Sequence, residues 1–230
     1  MRSISLLLLG GVMLAGLIQP ARAQQPPASP GVYVATYFEI DPAAVRKADG
    51  LLRQFAAATR KEDGNGELTL LREIGRPGRF AMIEAWRDKA ALDAHGAAMK
   101  ALGDKLQPAF ASPFDARQFL PLAVAPVTAG ADMSKTVYVL THVDVFPAGK
   151  DEVAAMVKQL ADDSRKDAGV QRFDAVVWDG HANHFHLIEA WSDRAARQAH
   201  ALADHTRQFR AKLVPFEGAL YDERLYEVVR

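Results

Sequence analysis

The chain of 230 residues contains no cysteine, so disulfide frameworks, thiolate metal centres and cysteine nucleophiles are excluded at once. It has no excess of either charge, with Lys+Arg and Asp+Glu both at 28, and therefore lacks the basic footprint that nucleic-acid phosphates require. No glycine-rich phosphate loop, Gly-x-Ser-x-Gly elbow or flavin fingerprint is present, which leaves nucleotide-cofactor and serine-hydrolase chemistry without support. Aromatic residues are sparse at 8%, and long apolar runs are absent apart from one at the start of the chain. With 49% apolar and 24% charged residues, what remains is a globular chain long enough for one large or two small cores.

The exceptional run is read as an address. Arg2 supplies a positive start, Ile4 to Ile18 is apolar, and Ala21-Arg22-Ala23 fits the small-x-small cleavage rule. Residues 1–23 are expected to be a signal peptide removed before Gln24, which sends the mature protein to the periplasm or outside the cell. The run is shorter than the roughly 20 residues of a spanning helix, so no membrane anchoring is expected after cleavage. The mature chain then carries 26 basic against 28 acidic residues.

The strongest positive feature is a repeat. Ile83-Glu84-Ala85-Trp86-Arg87-Asp88-Lys89-Ala90-Ala91 returns as Ile188-Glu189-Ala190-Trp191-Ser192-Asp193-Arg194-Ala195-Ala196, an offset of 105 residues. The same offset aligns Val32-Tyr33-Val34 with Val137-Tyr138-Val139, Pro42 with Pro147 and Arg60-Lys61 with Arg165-Lys166. A unit written only twice is too short for a solenoid and points to two copies packed about a pseudo-twofold axis. The organisation is therefore a flexible segment 24–30, a domain 31–120, a linker 121–134 and a second domain 135–230.

Each half reads strand, helix, hairpin, helix, strand. Val32 to Ile40 and Val137 to Val145 are β-branched and aromatic and stop near prolines. Val45, Ala48, Leu52 and Phe55 make a helical stripe, as do Val153, Val157 and Leu160. Hairpins follow around Gly75-Arg-Pro-Gly78 and Asp179-Gly180, and Asp88 and Asp193 are placed to cap a second helix. That helix buries Leu92, His95, Met99, Leu102 and Leu106 in one copy, and Ala199, Leu202, Thr206, Phe209 and Leu213 in the other. A last strand runs from Phe114 to Leu120 and from Tyr221 to Val229. The fold class is α+β: two ferredoxin-like βαββαβ repeats. Because the first strands are apolar on both faces, the two bare sheets are expected to pack on each other as an α/β barrel with four outer helices, removing exposed apolar surface and strand edges together.

Glu84 and Glu189 lie on apolar strand faces, either as general bases with raised pKa or as structural groups paired with Arg72 or another arginine. His95 and His200 lie on the second helices. The helical stripes align better at an offset of 107 than at 105, so a two-residue insertion falls somewhere in this helix. The second half carries extra histidines: His142 where the first has Tyr37, His186 where it has Ala81, and His181, His184 and His205 without counterparts. His181 and His184 read as hairpin surface residues. On one continuous helix His200 and His205 would be about 140° apart, so no metal site is expected. Catalysis is expected to favour the second half, with His142 or His200 as the base and His95 contributing less. Tyr37, Trp86, Trp191, Tyr138 and His186 are the expected substrate-binding residues.

The run from Glu84 through Trp86 and Asp88 to His95, repeated from Glu189 through Trp191 and Asp193 to His200, resembles the signature of the antibiotic biosynthesis monooxygenase superfamily. The resemblance spans both halves and implies a dimeric α/β-barrel arrangement within one chain. It also implies a monooxygenase acting on a small aromatic or quinol with O₂ and no cofactor. The haem-degrading branch carries an Asn in the first strand and a Trp on the second helix, and both are missing here. The alternative is a non-catalytic barrel that binds a hydrophobic molecule or haem. The expected partners are a small aromatic substrate and O₂, with the chain a monomeric barrel or weak homo-oligomer.

Overall fold

The computed structural model describes residues 30–125 and 135–230. The expected signal peptide, nearly all of the segment after it and residues 126–134 of the expected linker lie outside the described residues. Among the described residues, no helix is long and apolar enough to cross a membrane.

The first half contains β1 (Val32–Ile40), α1 (Val45–Thr59), β2 (Asn65–Glu73), β3 (Arg79–Trp86), α2 (Lys89–Leu106) and β4 (Phe110–Ala123). The second contains β5 (Val137–Asp144), α3 (Lys150–Ser164), β6 (Val170–Trp178), β7 (His184–Trp191), α4 (Arg194–Ala201), α5 (Asp204–Leu213) and β8 (Asp222–Val228). The strands close in the order β1-β3-β2-β8-β5-β7-β6-β4, all neighbours antiparallel. The βαββαβ repeats and their barrel are therefore as expected. Closure is made by exchange: β4 pairs with β6 of the other half, and β8 with β2. Neither half alone would be free of edges.

Alternation along the strands divides the core into three. Tyr33, Ala35, Ile83, Leu140, Ile188 and Tyr226 fill the barrel. The opposite parity meets the helices: Phe38, Leu52, Phe80 and Met82 in the first half, Val157, Phe173, Phe185 and Phe209 in the second. Asp88 and Asp193 cap α2 and α4 by accepting the N–H of Ala91 and Ala196. Just before each β2-type strand, Gly64 and Gly169 hold φ of +78° and +81°, and a Cβ there would lie 2.5 Å and 2.6 Å from Ala91 and Ala196. Only glycine fits both demands.

Three boundaries differ from the sequence reading. β4 runs on to Ala123, because residues 121–123 add to the ladder with β6, so the linker begins later than expected. β4 also starts earlier than Phe114, at Phe110. Among the described residues the outer layer holds five helices, since the last helix is broken. It stops at Ala201 and restarts at Asp204 after an extended Ala203, which places the two-residue insertion. His200 therefore matches His95 at the offset of 105, while Leu202, expected in the buried stripe, sits at the break and is 60% exposed.

Candidate functional site

The same lock is built behind the third strand of each repeat. In the first half the Trp86 indole Nε1–H donates to Glu84 Oε2 at 2.9 Å, and His95 lies between two acids, Nδ1 at 2.8 Å from Glu62 and Nε2 at 3.7 Å from Glu84. In the second, Trp191 Nε1–H donates to Glu189 at 2.8 Å, while His200 places Nδ1 at 2.8 Å from Asp167 and Nε2 at 3.9 Å from Glu189. Both tryptophans are fully buried. The glutamates are thus not held by Arg72, which instead pairs with Asp49. A tryptophan N–H and an imidazole are the partners that let a carboxylate sit on an apolar face.

The surroundings of the two locks differ. In the first half, the Phe55 ring lies 5.5 Å from that of His95, Met99 and Phe114 join the apolar core between the helices and the sheet, and the Phe114 ring lies against Gly103. At the matching places the second half has Leu160, Thr206, Tyr221 and Arg210, with Arg197 replacing Leu92 and Glu223 replacing Ala116. The result is a cavity of about 310 Å³ lined by Glu189, Arg197, His200, Thr206, Arg210 and Tyr221, among others. Burial pushes the Glu189 carboxyl up to about 7, against the opposing pull of the Trp191 N–H and the Arg197 charge. Burial also lowers His200, with Asp167 pulling the other way. Tyr221 is pushed up to about 12 by burial and the nearby Glu189, so its hydroxyl remains protonated. Arg197 pairs with Glu223, and the Arg210 guanidinium lies 3.3 Å from the centre of the Tyr221 ring. A carboxylate poised near neutrality, two guanidinium groups and a phenol converge on one hollow. Such a set can take a proton from an acidic hydroxyl and hold the resulting anion.

A second group stands at one mouth of the barrel. His142 and His186 are directly opposed in the β5–β7 register with ring centres 4.7 Å apart, and the Tyr37 hydroxyl is hydrogen-bonded to His186 Nε2 at 2.7 Å. Burial lowers His142 to about 4 and His186 well below the usual imidazole range, and it raises Tyr37. The adjoining cleft of about 600 Å³ is flanked by Arg117 and Arg224, each already tied to the aspartate two residues earlier. An imidazole this reluctant to accept a proton is poorly matched to deprotonating a phenol.

Toward the other mouth, Arg172 of β6 reaches across to Glu67 of β2 at 2.7 Å and also bonds Asp174 at 2.8 Å. Tyr138 is held there by Thr69 and Arg172. The residues selected from sequence therefore fall in four places: His200 and Trp191 behind Glu189, His95 and Trp86 behind Glu84, the trio Tyr37, His142 and His186, and Tyr138 at the cross-half ion pair. Asp167, Arg197, Arg210 and Glu223 were missed. Asp167 was detectable, because Glu62 matches it at the offset of 105 as a second duplicated acid.

The family described as antibiotic biosynthesis monooxygenase matches residues 31–100 and again 136–212. Among solved structures, a "putative monooxygenase" from Fusobacterium nucleatum superposes with a TM-score of 0.79 at 15% identity, over 88% of this chain and 94% of that one. A protein of the same description from Lactobacillus acidophilus gives 0.72 at 15% identity, covering 87% and 95%. An anthrone oxidase-like protein gives 0.65 at 14% identity, covering 87% and 92%. At such identities the likeness is one of fold. The search of curated proteins found no match.

Proposed function

The chain belongs to the antibiotic biosynthesis monooxygenase family in both of its halves, and on that premise we propose that its second half oxidises a small electron-rich aromatic, a quinol or polyphenol, with O₂ and without an organic cofactor. One observation carries the reading: the polar hollow beside Glu189, lined by Thr206 and Tyr221 where the first half has the apolar core residues Met99 and Phe114. Its volume lies at the lower end of small-molecule pockets and suits one or two fused rings.

In this reading the Glu189 carboxylate takes the proton of the substrate hydroxyl, and Arg197 and Arg210 stand beside the phenolate that results. Electron density then passes from the ring carbon to O₂. One oxygen atom forms a bond to that carbon, the other leaves as water, and the quinol supplies all the electrons as it becomes a hydroxyquinone. The protein contributes orientation, desolvation and charge stabilisation. The test is O₂ uptake by the mature protein with menadiol above the autoxidation blank, with ¹⁸O₂ label appearing in the product. Saturable quenching of tryptophan fluorescence by the quinol without O₂ uptake would establish the binding-only barrel in its place.

The proposal places the mature chain in the periplasm, beginning at Gln24. N-terminal sequencing of a periplasmic fraction checks this, and intact Met1 in the cytosol would refute it.

A further inference from the structure

The break between α4 and α5 has a consequence on the outer side of the His200 ring, away from Glu189. An unbroken helix would separate His200 and His205; the break instead turns both toward Asp167, which follows α3. Asp167 Oδ2 is 2.8 Å from His200 Nδ1 and 3.2 Å from His205 Nε2, and the three ligand atoms lie within 4.8 Å of one another. We propose that Asp167, His200 and His205 form a binding site for a divalent transition-metal ion of the Zn²⁺ or Co²⁺ type, present only in the second half.

Four observations support it. First, donors held at about 2.0–2.2 Å from one tetrahedral ion are about 3–3.5 Å apart, so two of the three spacings are already close to those of a loaded site. Second, His205 Nε2 is buried and has no hydrogen-bond partner. It approaches the carboxylate oxygen without being aligned on it, as a nitrogen does when directed at a point between ligands. Third, the other nitrogen of His200 faces the Glu189 carboxylate at 3.9 Å, itself held by Trp191. A ligating imidazole is commonly oriented by such an outer carboxylate. Fourth, the first half provides an internal control. It keeps the Glu62–His95 contact, but Ala98 stands where His205 would be.

Two imidazoles and one carboxylate suit zinc, cobalt, nickel or copper better than magnesium or calcium, and they leave coordination positions open to water. Asp163, which interacts with His205 and is bonded by Lys166, adds negative charge on the approach. With Nδ1 on the ion, the proton of neutral His200 resides on Nε2, toward Glu189. The ion thus fixes one wall of the cavity, and the site stands whether or not the oxygenase chemistry does.

The full-length mature chain, stripped with chelator, would be titrated with Co²⁺ while visible d–d absorption is followed. About one ion per chain is expected, with bands more intense than those of aqueous Co²⁺. His205→Ala should weaken binding at least tenfold with unchanged far-ultraviolet circular dichroism, whereas His95→Ala should retain it. Absence of the intensified bands, or equal binding by His205→Ala, overturns the proposal. Should His205→Ala misfold, pulsed electron paramagnetic resonance of the Cu²⁺-loaded unaltered chain decides: two coordinated imidazoles support the site, and one or none refutes it.

Discussion

The two halves hold the same Trp–Glu–His–acid lock, yet the residues at matching places around it are apolar in one and polar in the other. In the first, an unbroken α2 lays Met99 and Leu102 over the sheet and Phe114 closes the gap against Gly103. In the second, two inserted residues break the helix after Ala201, and Thr206, Arg210 and Tyr221 line a hollow where apolar groups stood. The lesson is a division of labour within one closed barrel. Both copies bear the cost of a buried carboxylate, and the second bears that of a cavity as well.

Arg172 and Glu67 stand at matching positions, carry opposite charges and pair with each other between the halves. Arg172→Met leaves the Glu67 and Asp174 carboxylates without their buried partner. It should cost about 3–5 kcal/mol in urea melts. The double variant Glu67→Gln, Arg172→Met should cost less than the sum of the two single changes, and strict additivity would mean that the pair is not what joins the halves.

Next in size is the contrast between the glutamates. Glu189→Gln should lower kcat/KM for quinol oxidation by about 10²-fold or more, the range for losing general-base help, while Glu84→Gln changes it little. Equal losses would mean two equivalent sites.

A smaller effect is expected at the barrel mouth. His142, held at about 4, and His186, pushed by burial well below the usual imidazole range, are neutral in the folded chain where an unfolded chain would bind protons. Their contribution to stability is therefore complete above the ordinary imidazole value near 6.5 and is lost as pH falls from there toward about 4. His142→Tyr, which makes the second half like the first, should remove about 2 kcal/mol of that acid sensitivity, read from melts across the window. Smallest of all, Leu202→Ser at the exposed break should shift stability by no more than about 0.5 kcal/mol. Leu102→Ala in the intact helix should cost about 2–5 kcal/mol.

Much of the fold was legible in the sequence because its signals are local and doubled. Strand alternation, the helical stripe of α1, the Asp88 and Asp193 caps and the turn glycines each depend on a few neighbouring residues, and every one occurs twice. The site was legible only in part. Glu189 and His200 were visible as repeated residues. Arg197, Arg210 and Glu223 were not, because an arginine or glutamate on an outer strand or helix looks like ordinary solvated charge until a missing neighbour leaves a hollow beside it. Leu202 misled for a related reason, since a stripe drawn through an insertion continues a helix that the chain has already ended.

The sequence by itself determined that this protein is one unit written twice, that each unit is βαββαβ, and that two apolar sheet faces must cover each other. Periodicity and duplication encode those facts within each segment. Tertiary contacts settle which lock has the polar hollow beside it, that Glu84 and Glu189 are held by indole and imidazole in place of arginine, and that Asp167, His200 and His205 converge. The Trp86–Glu84 and Trp191–Glu189 contacts are local, two residues apart on one strand face, but Glu62 and Asp167 meet His95 and His200 across 33 residues, and neither such a contact nor the place where an insertion breaks a helix is carried by a local pattern.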